Sequence, residues 1–186
     1  MKNIVRMKTS LVEEVEQILN EQVKMEANSS SKYLAMASWC QQRGFSNAGD
    51  FLMIQAGEER NHMLKIFNHI LDRGGVAFSP EVSHITHEFA NLREVFEIAL
   101  EQEIAVTHAI HRILDVARKA KDYTTEYFMQ WFINEQIEEE AVARRIVELF
   151  DVIGEEGQGL YLIDKEIATV RAAFAAANAG GAEAGA

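Results

Sequence analysis

The sequence predicts an all-α fold: a four-helix bundle with one long crossover between its second and third helices and a short fifth helix at the C-terminal end. Three observations predict it. Apolar residues recur at spacings of three and four, and no run of alternating β-branched residues suggests a strand. Pro80 is the one proline in 186 residues, so nothing else in the chain forbids long helices. Glycines punctuate four long segments of matched length and one shorter segment.

The first helix is expected from about Ser10 to Arg43. Thr9 and Ser10 are capping candidates, Glu13 sits three residues after Ser10 as in a capping box, and Gly44 stops the helix. The second starts near Ser46 or Asn47 and ends at Gly74-Gly75. Val76 to about Asn91, with Pro80, reads as the crossover. The third helix spans about Leu92 to Lys119. After a short turn the fourth spans Tyr123 to Ile153, where Gly154, Gly157 and Gly159 follow. The fifth covers about Leu160 to Ala175. Residues 1–175 are expected to form one domain, and the Ala/Gly-rich residues 176–186 a flexible tail. Short turns make the first and second helices, and the third and fourth, antiparallel neighbours. A crossover of about 16 residues is long enough to run the bundle's length and make the second and third parallel.

Composition narrows the function. Lys plus Arg total 18 against 29 Asp plus Glu, a net charge of −11. Nucleic-acid binding needs clustered cations, so a nucleic-acid partner is not expected, and positive ions are. One cysteine, Cys40, forms no internal disulfide, which suits a reducing compartment. No apolar run approaches the ~20 residues that span a bilayer. The first eight residues are basic without the apolar stretch of a secretory signal. A cytoplasmic protein without a membrane partner is the expectation.

The informative residues are charged ones inside the apolar stripes. In the first helix the stripe Val15, Leu19, Tyr33, Ala37 and Cys40 has Glu26 at its centre. In the second, Leu52, Ala56, Met63, Ile66 and Ile70 surround Glu59, with His62 three residues on. In the third, Leu92, Phe96, Leu100, Ile110 and Leu114 surround Glu103. In the fourth, Gln136 and Glu139 interrupt Met129, Phe132, Ile133, Ala143 and Val147. Exposure is the usual state of a carboxylate, but these positions face inward. The four stripes offer no Lys or Arg to pair with them. An unpaired buried carboxylate costs several kcal/mol, and four together repel, so either some are protonated or cations neutralise them. Four carboxylates balance two divalent metal ions. Glu59-x-x-His62 sets a carboxylate and an imidazole on neighbouring helical positions, and oxygen-rich ligation with one imidazole suits iron or manganese better than zinc.

With these residues in hand, the chain resembles the non-haem ferritins, particularly the bacterial kind, over roughly residues 10–174. The matching motifs are Asn20-Glu21-Gln22 leading to Glu26, Glu58-Glu59-Arg60-Asn61-His62, Leu100-Glu101-Gln102-Glu103, and Gln130-Trp131-Phe132 with Asn134-Glu135-Gln136-Ile137-Glu138-Glu139-Glu140. Gly159-Leu160-Tyr161-Leu162-Ile163-Asp164-Lys165-Glu166 matches the start of the fifth helix. The resemblance implies a ferritin-like bundle with a di-iron ferroxidase centre inside each subunit. Glu26, Glu59 and His62 would hold the first iron, with Glu59 bridging. Glu103 would hold the second, with Gln136 beside it and Glu139 completing the site or bridging onward. Glu58, Glu135 and Glu138 look like ligands of a third iron, sharing Glu139. Tyr33 would lie beside the centre as a donor of a hydrogen bond or an electron, and Trp131 nearby. The resemblance further implies a hollow homo-oligomer of twenty-four subunits that oxidises Fe(II) with O₂ or peroxide and stores ferric mineral.

The fourth helix carries no histidine. Bacterioferritins and rubrerythrin-like proteins place a second Glu-x-x-His there, so the resemblance is to neither. A di-metal carboxylate peroxidase or O₂-activating protein of the same superfamily, without mineral storage, is the alternative. A metal-free scaffold leaves the inward carboxylates unexplained. His84, His87, His108 and His111 read as surface residues, and Cys40 as core.

Overall fold

The computed structural model describes residues 9–182, with side chains over 9–174. Residues 1–8 and 183–186, the last of the expected tail, lie outside the described residues. Five helices follow in order: α1 (Glu13–Gln42), α2 (Ser46–Asp72), α3 (Leu92–Lys119), α4 (Tyr123–Ile153) and α5 (Gly159–Ala182). Among the described residues there is no strand, and no helix is long and apolar enough to cross a membrane. The all-α architecture, the long crossover and the fifth helix are those the sequence predicts. α5 continues to Ala182 instead of ending near Ala175. Its last turns are rich in alanine, the residue with the highest helix propensity.

The start of α1 differs from expectation. Val12, in extended backbone, precedes Glu13 and gives no side-chain cap, so Ser10 and Glu13 form no capping box. Thr9 and Ser10 bond to the end of α2 instead. Thr9 Oγ1 donates to the Arg73 carbonyl, and Ser10 Oγ accepts from Arg73 Nη2 at 3.2 Å. Asn91 caps α3 by accepting from Glu94 N at 2.8 Å, and Asp122 caps α4 by accepting from Thr125 N at 3.1 Å. Gly44, at φ 85°, makes the tight turn from α1 to α2.

The crossover lies along α1, tied down by two asparagines a little over two turns apart. Asn20 donates to the Val76 carbonyl at 3.0 Å and accepts from Phe78 N at 2.8 Å. Asn28 accepts from Ser83 N at 3.1 Å. Phe89 then enters the core, edge-on to Trp39 with ring centroids 5.8 Å apart. That path returns the chain to the end from which α2 began, so α2 and α3 are parallel.

The core is two apolar clusters with a polar layer between them. One holds Tyr33 to Cys40 of α1, Ala48 to Ala56 of α2, Leu92 to Ala99 of α3 and Val142 to Phe150 of α4. The other holds Val15 to Val23, Ile66 and Ile70, Val106 to Leu114, and Met129 with Phe132. In each helix the gap between clusters holds the charged residues singled out above. Met63, Leu100, Ile133 and Val147 are only half-buried, at the stripe edges, because the helical face drifts over this length.

α1 packs on α2 and α3, and α3 on α4, whereas α2 and α4 stand further apart and meet through side chains. α5 packs on both of them and so fills the groove between. Ile163, Ile167 and Val170 make its buried stripe. Asp164 anchors it, accepting from Ala48 N at 2.9 Å and Asn47 Nδ2 at 2.7 Å. This supplies the cap that α2 lacks locally, since Phe45 at its start offers none. Asp164→Ala is expected to cost about 1–2 kcal/mol, the worth of a strong helix cap, as measured by urea unfolding. An unchanged midpoint would show that α5 is held by its apolar stripe alone.

Candidate metal centre

Each helix of the bundle brings its inward carboxylate to the polar layer. Glu26, Glu59, Glu103, Glu139, His62 and Gln136 are all buried. Glu26, Glu59 and His62 each offer a ligand atom within 4.8 Å of the others, and among the described residues no other three His, Cys, Asp or Glu side chains are so placed. His62 Nδ1 stands 3.6 Å from Glu59 Oε2. The imidazole meets Trp131 and Phe132 edge-on, at centroid distances of 5.4 and 5.9 Å, which fixes its plane. Glu26 Oε2 and Glu59 Oε2 are buried without a hydrogen-bond partner. Two unpartnered buried carboxylate oxygens beside an imidazole nitrogen are the donor set a divalent transition-metal ion needs, so the residues fit such an ion.

The acid groups register their confinement. Burial pushes the Glu26 carboxyl well above the usual carboxylate range, and the adjacent Glu59 pushes it further. Burial does the same to Glu59, reinforced by Glu103 and Glu139. Glu103 is pushed up to about 7, mainly by burial, although hydrogen bonds from Tyr33 and Gln136 pull it down. Burial and the neighbouring Glu103 lift the Tyr33 phenol well above its ordinary value, so Tyr33 stays a donor.

Amide and hydroxyl donors aim the carboxylates. Gln22 Nε2 donates to Glu26 at 2.8 Å. Tyr33 Oη donates to one oxygen of Glu103, and Gln136 Nε2 donates to the other at 3.1 Å. Gln55 Nε2 donates to Glu139 at 2.7 Å. Tyr33, placed on the α1 face two turns from Glu26, therefore reaches across to α3. Trp131 lies at the edge, 37 % exposed, with Lys65 Nζ 4.1 Å from its ring centroid. Glu58, Glu135 and Glu138 are half-buried around the α2–α4 groove. His84, His87, His108 and His111 are exposed, and Cys40 is buried.

The four stripes bring no cation, but α5, which lies outside them, brings one. Arg171 pairs with Glu139 at 2.8 Å, pairs with Glu58, and donates to Gln55. Arg171 and Gln55 touch these carboxylates and the sequence reading missed them, and Gln22 stands there in a motif without a role. Gln22 and Gln55 each precede a stripe glutamate by four residues, a legible signal for an inward amide. Arg171 follows Ile163, Ile167 and Val170 on one helical face, which showed that it faces inward but not against what.

A long-crossover bundle with a buried layer of carboxylates and one imidazole defines a class: four-helix proteins that hold metal among acid side chains. The family model described as the ferritin-like domain matches residues 16–153, and the chain belongs to that family. It is 38 % identical over 157 residues to the probable bacterial non-heme ferritin-like protein of Haemophilus influenzae, covering 84 % of this chain and 95 % of the relative. It is likewise 38 % identical over 160 residues to the bacterial non-heme ferritin of Campylobacter jejuni, covering 86 % and 96 %. The open-pore ferritin of the hyperthermophilic archaeon Archaeoglobus fulgidus superposes with a TM-score of 0.82 at 35 % identity, covering 86 % of this chain and 97 % of that one.

Proposed function

We propose that this chain is an iron-storage ferritin that oxidises Fe(II) at a di-iron centre within each subunit and deposits ferric oxide inside a hollow homo-oligomeric shell. The observation that carries the reading is the buried trio Glu26, Glu59 and His62 with two carboxylate oxygens that have no hydrogen-bond partner. Fe(II) is the substrate. Glu26, Glu59 and His62 hold one ion; Glu59 faces Glu103, and Glu103, Gln136 and Glu139 provide the second position. A pair suits the chemistry because two Fe(II) each give up one electron, and O₂ with two protons becomes hydrogen peroxide. Hard carboxylate oxygens favour the ferric product.

The protein's own groups hold and aim. His62 packs against both Trp131 and Phe132, while Tyr33 and Gln136 fix the Glu103 carboxylate. The carboxyl protons held in the metal-free state leave when a cation binds. Exposed apolar side chains on α1, α2 and the crossover support self-assembly: Leu34 is 45 % exposed, Ile54 56 % and Phe78 62 %. The ferritin relatives support a homo-oligomer, for which we propose a shell of twenty-four subunits, and we propose a cytoplasmic location.

Adding Fe(II) in air to the assembled protein, with size-exclusion elution and near-ultraviolet absorbance followed together, tests the reading. An amber mineral eluting with an intact shell is expected. Iron that precipitates outside the protein at the rate of a protein-free control would overturn it. Tyr33→Phe removes one of the two donors to Glu103 without creating a cavity. Loss of such an outer hydrogen bond is expected to slow oxidation by about 10-fold while leaving assembly intact, read by stopped-flow absorbance.

A further inference from the structure

The Arg171 guanidinium sits between Glu58 and Glu139, carboxylates that the resemblance would give to a third iron. Its Nη2 is 2.8 Å from one Glu139 oxygen and its Nη1 pairs with Glu58; Gln55 accepts from Nη1 and donates to the other Glu139 oxygen at 2.7 Å. Each oxygen of Glu139 therefore already holds one protein donor, which leaves its remaining lone pair for the inner second position and none for an outer ion. The arrangement is built into the fold. α5 is docked in the α2–α4 groove by Ile163, Ile167 and Val170, and Asp164 pins it to the start of α2. Arg171 follows Asp164 by seven residues, two helical turns, on the same face. A guanidinium presents a planar fork of donors that matches carboxylates and never loses its charge.

We propose that Arg171 is the centre's resident third cation: it occupies the Glu58–Glu139 pair, excludes a further metal ion from it, and confines tight metal binding to the inner positions. This rests on the metal-centre reading above and refines it. Glu58, Glu135 and Glu138 then act as an acidic rim beside a protein cation instead of closing around a third iron.

The test is zinc(II) titration of the assembled, metal-free protein by calorimetry, since zinc is not oxidised. Arg171→Met keeps the stem's length and removes the charge. It is expected to bind one more tight zinc ion per chain than the wild type, whereas Arg171→Lys, still cationic, keeps the wild-type number. Equal numbers in the wild type and Arg171→Met overturn the proposal. Wild-type crystals soaked in zinc give an answer independent of any variant's folding. Anomalous density confined to the inner positions, beside Glu26, Glu59 and His62 or beside Glu103, supports the proposal, and density between Glu58 and Glu139 with Arg171 displaced overturns it. An absence of zinc binding by either protein is a different result, and it removes the metal-centre reading itself.

Discussion

His62→Ala is expected to slow aerobic Fe(II) oxidation by more than about 100-fold, beyond the ~10–100-fold cost of losing an outer-shell partner, because the imidazole is a direct ligand in this reading. It is the one nitrogen donor in the trio, and its Nδ1 stands 3.6 Å from Glu59 Oε2. The shell should still assemble. The ring's contacts to Trp131 and Phe132 are lost, a local change within the roughly 0.5–3 kcal/mol typical of single substitutions. Glu59→Gln provides the contrast. It keeps the side chain's shape and removes a carboxyl whose ionisation burial, Glu103 and Glu139 all oppose, so oxidation should fall while the metal-free protein becomes more stable. Stopped-flow absorbance on size-selected shells reads the first effect, and thermal unfolding after chelation reads the second. Wild-type rates in an assembled His62→Ala protein would take His62 out of the centre.

The bundle and the polar layer were legible in the sequence for one reason. A helix whose apolar stripe is broken by a single glutamate at mid-length announces an inward charge, and four helices do so in register. Glu26, Glu59, Glu103 and Glu139 needed only periodicity to find. Arg171 and Asp164 did not yield to it. Periodicity places them on the buried face of α5, but their partners are set by where that helix lands, and no pattern along a chain encodes the groove between α2 and α4. Asn20 and Asn28 are similar: each reads as an ordinary exposed-face residue until the crossover lies over it. Ser10 and Glu13 show the converse. Their spacing satisfies the capping pattern, yet Arg73 at the end of α2 competes for the same hydroxyl and wins it.

The metal-free protein is expected to lose stability as pH rises from about 5 to 8, the reverse of ordinary acid denaturation. Glu103 titrates at about 7 in the folded chain, against 4.5 for a free glutamate, and Glu26 and Glu59 are also raised well above that value. Between those two values the folded chain keeps protons that the unfolded chain has released. The unfolding free energy therefore falls with rising pH, by up to about 1.4 kcal/mol per pH unit for each such carboxyl. The stabilisation is full below about pH 4.5 and is lost as pH passes through the folded values. Divalent metal reverses the trend, because an ion displaces those protons and binds more tightly as they become easier to remove. Saturating zinc at 100 times its dissociation constant would add about 2.7 kcal/mol for each site. Thermal midpoints of chelator-treated protein between pH 5 and 8 should thus slope downward, slope less steeply in Glu59→Gln, and slope upward with zinc. A flat metal-free profile in the wild type would mean that the buried carboxyls are already ionised at pH 5, and that something other than protons holds their charge in the empty bundle.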